Sequence, residues 1–181
     1  MAAPTGWDTY LSECDRADRF DRFLEVARDE RLPDADYWRL LREVWTDTEQ
    51  PSRLREEWES LFMGEHPEDS DAPLRQGTSG RRKALSACTA EERARYEGLP
   101  EVVEVYRGFG HEGGEHGISW ALDREKAEYF ARRFYPERPR VAVARVEKRL
   151  IDAVFLERGE QEVVITCLGL DPEQLEIVEA A

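Results

Sequence analysis

Methionine, histidine and cysteine are scarce in this chain, and each scarcity removes a class of function. Its 181 residues include two Met, three His and three Cys. Cys14, Cys88 and Cys167 are odd in number, show no CxxC spacing and have no clustered histidine, which argues against a disulfide framework and against a zinc site. A reducing, intracellular setting fits this usage, and a cytoplasmic location is the expectation, with delivery into a target cell as a variant of it. His66, His111 and His116 lack both the helix-borne HExxH spacing of a metal site and the nucleophile-elbow context of a Ser-His-Asp hydrolase, and read as solvated loop residues. No apolar run approaches the ~20 residues of a membrane helix. Met1 to Trp7 offers neither a basic stretch nor an apolar one, so no secretory signal is expected. Basic residues are outnumbered, 26 against 40, and the net charge of -14 disfavours nucleic acid as a partner unless a local basic face compensates. The acidic excess serves solubility and suits a salty or halotolerant host.

Against these absences, the first third is rich in aromatic residues at helical spacing. Trp7, Tyr10, Leu11 and Cys14 form one stripe, and Phe20, Phe23, Leu24 and Ala27 another. Asp34 is placed to cap a helix buried through Trp38, Leu41 and Trp45; Ser52 is placed to cap one buried through Leu54, Trp58, Leu61 and Phe62. Because these aromatics keep the helical period, they read as core and not as a binding groove. From Gly64 to Lys83 the chain turns to Gly, Pro, Ser and charge without period, as a linker does, and Arg81, Arg82 and Lys83 read as a solvated charge run.

A short helix opens at Thr89, with Glu92 three residues on as in a capping box, and ends at Gly98-Leu99-Pro100. Beyond it, the β-branched runs Val102 to Tyr106, Val141 to Val146, Val154 to Leu156, Val163 to Leu168 and Leu175 to Val178 predict strands. One helix interrupts them, starting at Asp123 and burying Ala127, Phe130, Ala131 and Phe134. The expected class is α+β, a helical region over 1–75, a linker and short helix over 76–98, and a small mixed β-sheet core over 99–181.

Three segments of that core combine polar side chains with strand ends or glycine-rich turns, where sites tend to be built. In Tyr106-Arg107-Gly108, the arginine fork suits a phosphate or carboxylate, and the glycine lets a ligand approach the backbone. Ser119 follows the loop GHEGGEHG and begins a strand. In Glu160-Gln161-Glu162, alternation puts both carboxylates on one face of a strand that includes them. Two such carboxylates suit chemistry that develops positive charge on a sugar, one stabilising the charge and the other taking a proton from the nucleophile.

The order of the segments, Arg-Gly after a strand, Gly-x-Ser-Trp before an Asp-capped helix, then Glu-x-Glu-Val-Val-Ile, resembles the arginine-serine-glutamate group of mono-ADP-ribosyltransferases, phage-like or toxin-like. The likeness runs from about Val102 to Leu168, and Glu-x-Glu-Val-Val-Ile is its most specific piece. Trp120 and Ala121 stand where the family pattern carries Thr and Ser, so one hydroxyl is missing.

The resemblance implies an ADP-ribosyltransferase core that uses NAD as substrate, without a metal, and transfers ADP-ribose to a protein side chain. Arg107 would hold the NAD phosphates or ribose, and Gly108 would meet the nicotinamide amide. Ser119 would position Glu162, which would hold the ribose and stabilise its charge; Glu160 would activate an acceptor, expected to be arginine. Trp120, Tyr129 and Phe130 are the candidates for an aromatic shelf under nicotinamide, with Phe130 better placed in the helix stripe. The alternatives are an NAD glycohydrolase, a non-catalytic NAD- or partner-binding module on the same fold, and a partner-binding role for the helical region.

Overall fold

A computed structural model describes residues 6–29, 31–48, 55–64, 84–159, 161–166 and 175–180. The chain divides into two compact units, Met1–Ala87 and Cys88–Ala181. The linker expected over 64–83 lies, after Gly64, outside the described residues, as do Ser52, Leu54 and Glu160.

In the first unit the helices are α1 (Gly6–Ser12), α2 (Arg19–Ala27), α3 (Asp34–Asp47) and α4 (Arg55–Phe62). Trp38, Trp45, Trp58, Phe20 and Phe23 are buried, so the aromatic stripes do serve as core. Trp45 meets Trp58 edge-on at 4.9 Å and Phe62 at 5.0 Å, the arrangement that sets a positive ring edge against a negative face. The Tyr37 hydroxyl donates to the Leu61 carbonyl at 2.8 Å, satisfying the one polar atom that this ring buries. Two details differ from the sequence pattern. Pro33, extended at φ -62°, holds the position before α3, and Asp34 is the first helical residue; proline's fixed φ suits that entry, and the carboxylate still faces the positive end of the helix. Trp7 and Tyr10 stay partly or largely exposed, and Leu11 alone of that stripe is buried.

The second unit opens with α5 (Ala90–Glu97), the short helix that the sequence had placed in the connection. Its capping box is formed: the Glu92 amide donates to Thr89 Oγ1 at 3.2 Å, and the Thr89 amide donates to Glu92 Oε2 at 2.7 Å. Among the described residues six strands follow, β1 (Val102–Phe109), β2 (Ser119–Ala121), β3 (Arg140–Glu147), β4 (Ala153–Phe155), β5 (Glu162–Val164) and β6 (Glu176–Glu179). They form one sheet in the order β4-β5-β2-β1-β3-β6. Each neighbouring pair is antiparallel, which corrects the expected mixed sheet to an antiparallel one. The coarser α+β reading stands.

Alternation divides this sheet into two working faces. Val103, Val105, Phe109, Trp120, Val154 and Val163 point into one core, closed in part by Tyr96 and Leu99. The other face carries α6 (Arg124–Phe134), whose start is capped by Asp123 accepting from the Glu125 amide at 2.9 Å. Here the sequence stripe is corrected in part: Ala127 and Ala131 are buried, while Phe130 and Phe134 are half-buried and stack on each other at 6.1 Å. The cause is Gly108. A Cβ there would stand 2.1 Å from the Ala127 carbonyl oxygen and 2.7 Å from the Ala131 nitrogen, so the helix backbone lies directly on β1 and the bulky rings flank the contact.

Gly108→Ala therefore forces α6 off the sheet, and about 2 kcal/mol of unfolding free energy should be lost, as in other overpacked sites. Thermal unfolding measures it; an alanine variant as stable as the parent would show that the helix does not depend on this contact.

Candidate active site

β1, β2 and β5 are consecutive in the sheet, and they bring the three sequence segments together at one place. Tyr106 pairs with Ala121, and Ala121 pairs with Glu162. Continuing that register by two residues sets Gly108 opposite Ser119. Gly108, Ser119 and Glu162 thus share the face on which α6 lies. Ser119 Oγ donates to Glu162 Oε1 at 2.5 Å, a charge-assisted bond that fixes one oxygen of the carboxylate in space.

Arg107, one residue from Gly108, leaves the opposite face with Val105 and Phe109 and is buried at 9% exposure. Its Nε donates to the Gly114 carbonyl at 2.7 Å and its Nη1 to the Ser119 carbonyl at 2.6 Å. The arginine was expected to hold a ligand phosphate; in the structure these two donors hold the protein's own backbone. Gly117 makes room for them, since a Cβ there would lie 2.1 Å from the guanidinium carbon. Trp120 Nε1 completes this arrangement by donating to the Gly117 carbonyl at 2.8 Å.

A second arginine secures the same turn. Arg140 lies with its guanidinium carbon 4.6 Å from the Phe109 ring centroid, and its Nη2 donates to the His111 carbonyl at 3.2 Å. The His111 ring lies 5.3 Å from that of Tyr135. The segment GHEGGEHG is accordingly an anchored turn that delivers Ser119 to the start of β2.

The three residues expected as an aromatic shelf fall in different surroundings. Trp120 is 1% exposed and belongs to the core face, so its ring is not presented beside Ser119. Tyr129 is 51% exposed, but Ala127 and Ala131 mark the sheet-facing side of α6, and Tyr129 projects from the outer side. Phe130 is half-buried against Phe134. Glu160, the second carboxylate, lies outside the described residues. Tyr106, named in the sequence both as the end of an apolar run and as the start of the Tyr106-Arg107-Gly108 segment, shares the face of Ser119 and Glu162. Alternation alone would have set it on the face opposite Arg107; that this is the Ser119 face needed the β1–β2 register.

Among the described residues, no group of three or more His, Cys, Asp or Glu side chains is placed to hold a metal ion. The first unit has an open cleft of about 630 Å³, lined by Gly6, Trp7, Tyr10, Glu25, Val26 and Arg31. Its polar side chains are engaged with one another or with neighbours, the Tyr10 hydroxyl by Glu25 and Arg31 Nη2 by Asp29 at 2.6 Å. Compared with protein-family models, curated proteins and solved structures, the chain finds no match in any of the three.

Arg107→Lys keeps the charge but cannot supply two fixed donors to two carbonyls. It should cost about 2 kcal/mol of stability, the value of a bond to a charged group, and raise amide exchange across residues 110–118. Unchanged protection of that turn would contradict the anchoring role.

Proposed function

We propose that the chain is a mono-ADP-ribosyltransferase, which cleaves NAD between nicotinamide and ribose and passes ADP-ribose to a protein side chain. The observation that carries the reading is the Ser119–Glu162 hydrogen bond across two neighbouring strands, at 2.5 Å and on a half-buried face. The order of residues in the sequence is the other support.

The chemistry asks for a negative group held at a fixed point and little else. When the bond between ribose and nicotinamide breaks, its electron pair goes to the ring nitrogen, whose positive charge is neutralised. Positive charge appears on the ribose. A carboxylate already aimed at that position lowers the barrier without having to reorganise. Ser119 serves by holding Glu162 in one orientation; the carboxylate offsets the charge. The acceptor then forms its bond to the same ribose carbon and gives up a proton, for which the sequence offers Glu160. Arg107 contributes from beneath, by fixing the Ser119 main chain, and its direct reach to a phosphate stays an expectation from the resemblance.

Incubation of the purified protein with labelled NAD and a cell lysate should release nicotinamide and label a protein. Glu162→Gln should reduce both by about 100-fold, the usual loss when one preorganised electrostatic group is removed. Glu160→Gln should abolish protein labelling and spare hydrolysis; equal loss of the two would remove Glu160 from acceptor activation. A parent protein that neither binds NAD nor releases nicotinamide at millimolar concentration would sink the reading.

A further inference from the structure

Glu162 is the first residue of β5, a strand of three residues, and the chain reaches it from the end of β4 through 156–161. Both ends of that connection are held by one helix. Glu92 of α5 accepts from the Leu156 amide, and Arg95, one turn further along the same side, donates from Nη2 to the Gln161 side-chain oxygen at 2.8 Å. Gln161 is fixed a second time through its carbonyl, which accepts from the Leu122 amide at 2.8 Å. That bond carries the β2–β5 register one residue past the Ala121–Glu162 pair.

We infer that Arg95 is a positioning residue for Glu162: by holding Gln161 from α5 it sets the main chain from which the carboxylate springs. The inference rests on the reading of the site as one that cleaves NAD. Alternation places the Gln161 side chain on the face away from Glu162, and α5 lies on that side, with Tyr96 packed against the core of Leu99, Trp120 and Val163. Arg95 thus acts from behind the sheet, one peptide unit away from the carboxylate.

Ser119 fixes one oxygen of Glu162, but a side chain can be no better placed than its backbone. Strand ends fray, and in a ladder of three pairs every residue is near an end. A guanidinium suits the duty of holding such an end, because its donors lie in a rigid plane and it keeps its charge. Gln161 suits it as acceptor, since an uncharged amide takes the bond without adding a negative charge between Glu160 and Glu162. The bond joins two exposed side chains, so its loss loosens the turn without unfolding the chain, and the expected deficit is a factor of about five. The effect falls on kcat, because the charge that Glu162 offsets appears only as the bond to nicotinamide breaks.

The test is a double-mutant cycle, Arg95→Ala, Gln161→Ala and the two together, with Arg95→Lys as the conservative variant. It is read by nicotinamide release, by thermal unfolding and by amide exchange at Leu122. Each alanine variant should lower kcat about fivefold and leave KM unchanged, the double variant should be no slower than either single one, and lysine should recover part of the loss. Exchange at Leu122 should rise in both single variants. Folded alanine variants that turn over as the parent does, losses that multiply in the double variant, or a loss that appears in KM alone each overturn the positioning role. Unchanged exchange at Leu122 overturns the clamp itself, whatever the activity. A parent that releases no nicotinamide overturns the reading of the site, while the exchange result still decides the clamp.

Discussion

Everything near Ser119 depends on a guanidinium that lies on the other side of the sheet. Arg107 is buried under β1, and its Nε and Nη1 spend their protons on the carbonyls of Gly114 and Ser119. One bond holds the glycine-rich turn and the other holds the first residue of β2. A buried cation is expensive, and bonds of this kind offset its desolvation. The side chain of Ser119 then projects on the far face, where it meets Glu162. A connection thus passes through the sheet, from a core cation to a half-buried carboxylate, and the pleat is what separates the two.

The two faces divide the labour. Under the sheet, Trp120, Val105, Phe109 and Val163 exclude water and give Arg107 a dry setting in which its hydrogen bonds are strong. Above it, Gly108 lets α6 lie against β1, and Tyr106, Ala121 and Glu162 are half-buried. Adjacent residues therefore take opposite sides: Arg107 and Trp120 are buried on the core face, while Tyr106, Ser119 and Ala121 are half-buried on the other. Such a division comes from the two-residue period of a strand and requires no extra element.

Much of this was legible in the amino-acid sequence. The stripes through Trp38, Leu41 and Trp45, the capping box of Thr89 and Glu92, and the capped helix at Asp123 are local patterns with local physics, and they formed as read. The meeting of Ser119 and Glu162 was expected from a resemblance in order, and the β2–β5 register brings them together. What the sequence hid was direction. Glu104 between Val103 and Val105 marks the core face of β1, but that Arg107 and Trp120 lie on that same face and bond to the Ser119 and Gly117 carbonyls shows only in the fold. Phe130 and Phe134 look like core residues by period, yet the close seat of the helix on Gly108 leaves only the alanines fully covered. Antiparallel pairing was hidden for a similar reason, since strand order is a property of the whole sheet.

Glu92 is 1% exposed, and its two oxygens serve different parts of the chain. Oε2 accepts from the Thr89 amide at the head of α5, while Oε1 accepts from the Leu156 amide, just past β4, at 3.0 Å. A motif that in an isolated peptide would merely start a helix here rivets that helix to an edge of the sheet. A fragment cut to begin after Gly98 would retain all six strands yet leave the Leu156 amide without this acceptor and the Leu99 side of the core without Tyr96. By these contacts the unit begins before its first strand, at the segment that leads into α5.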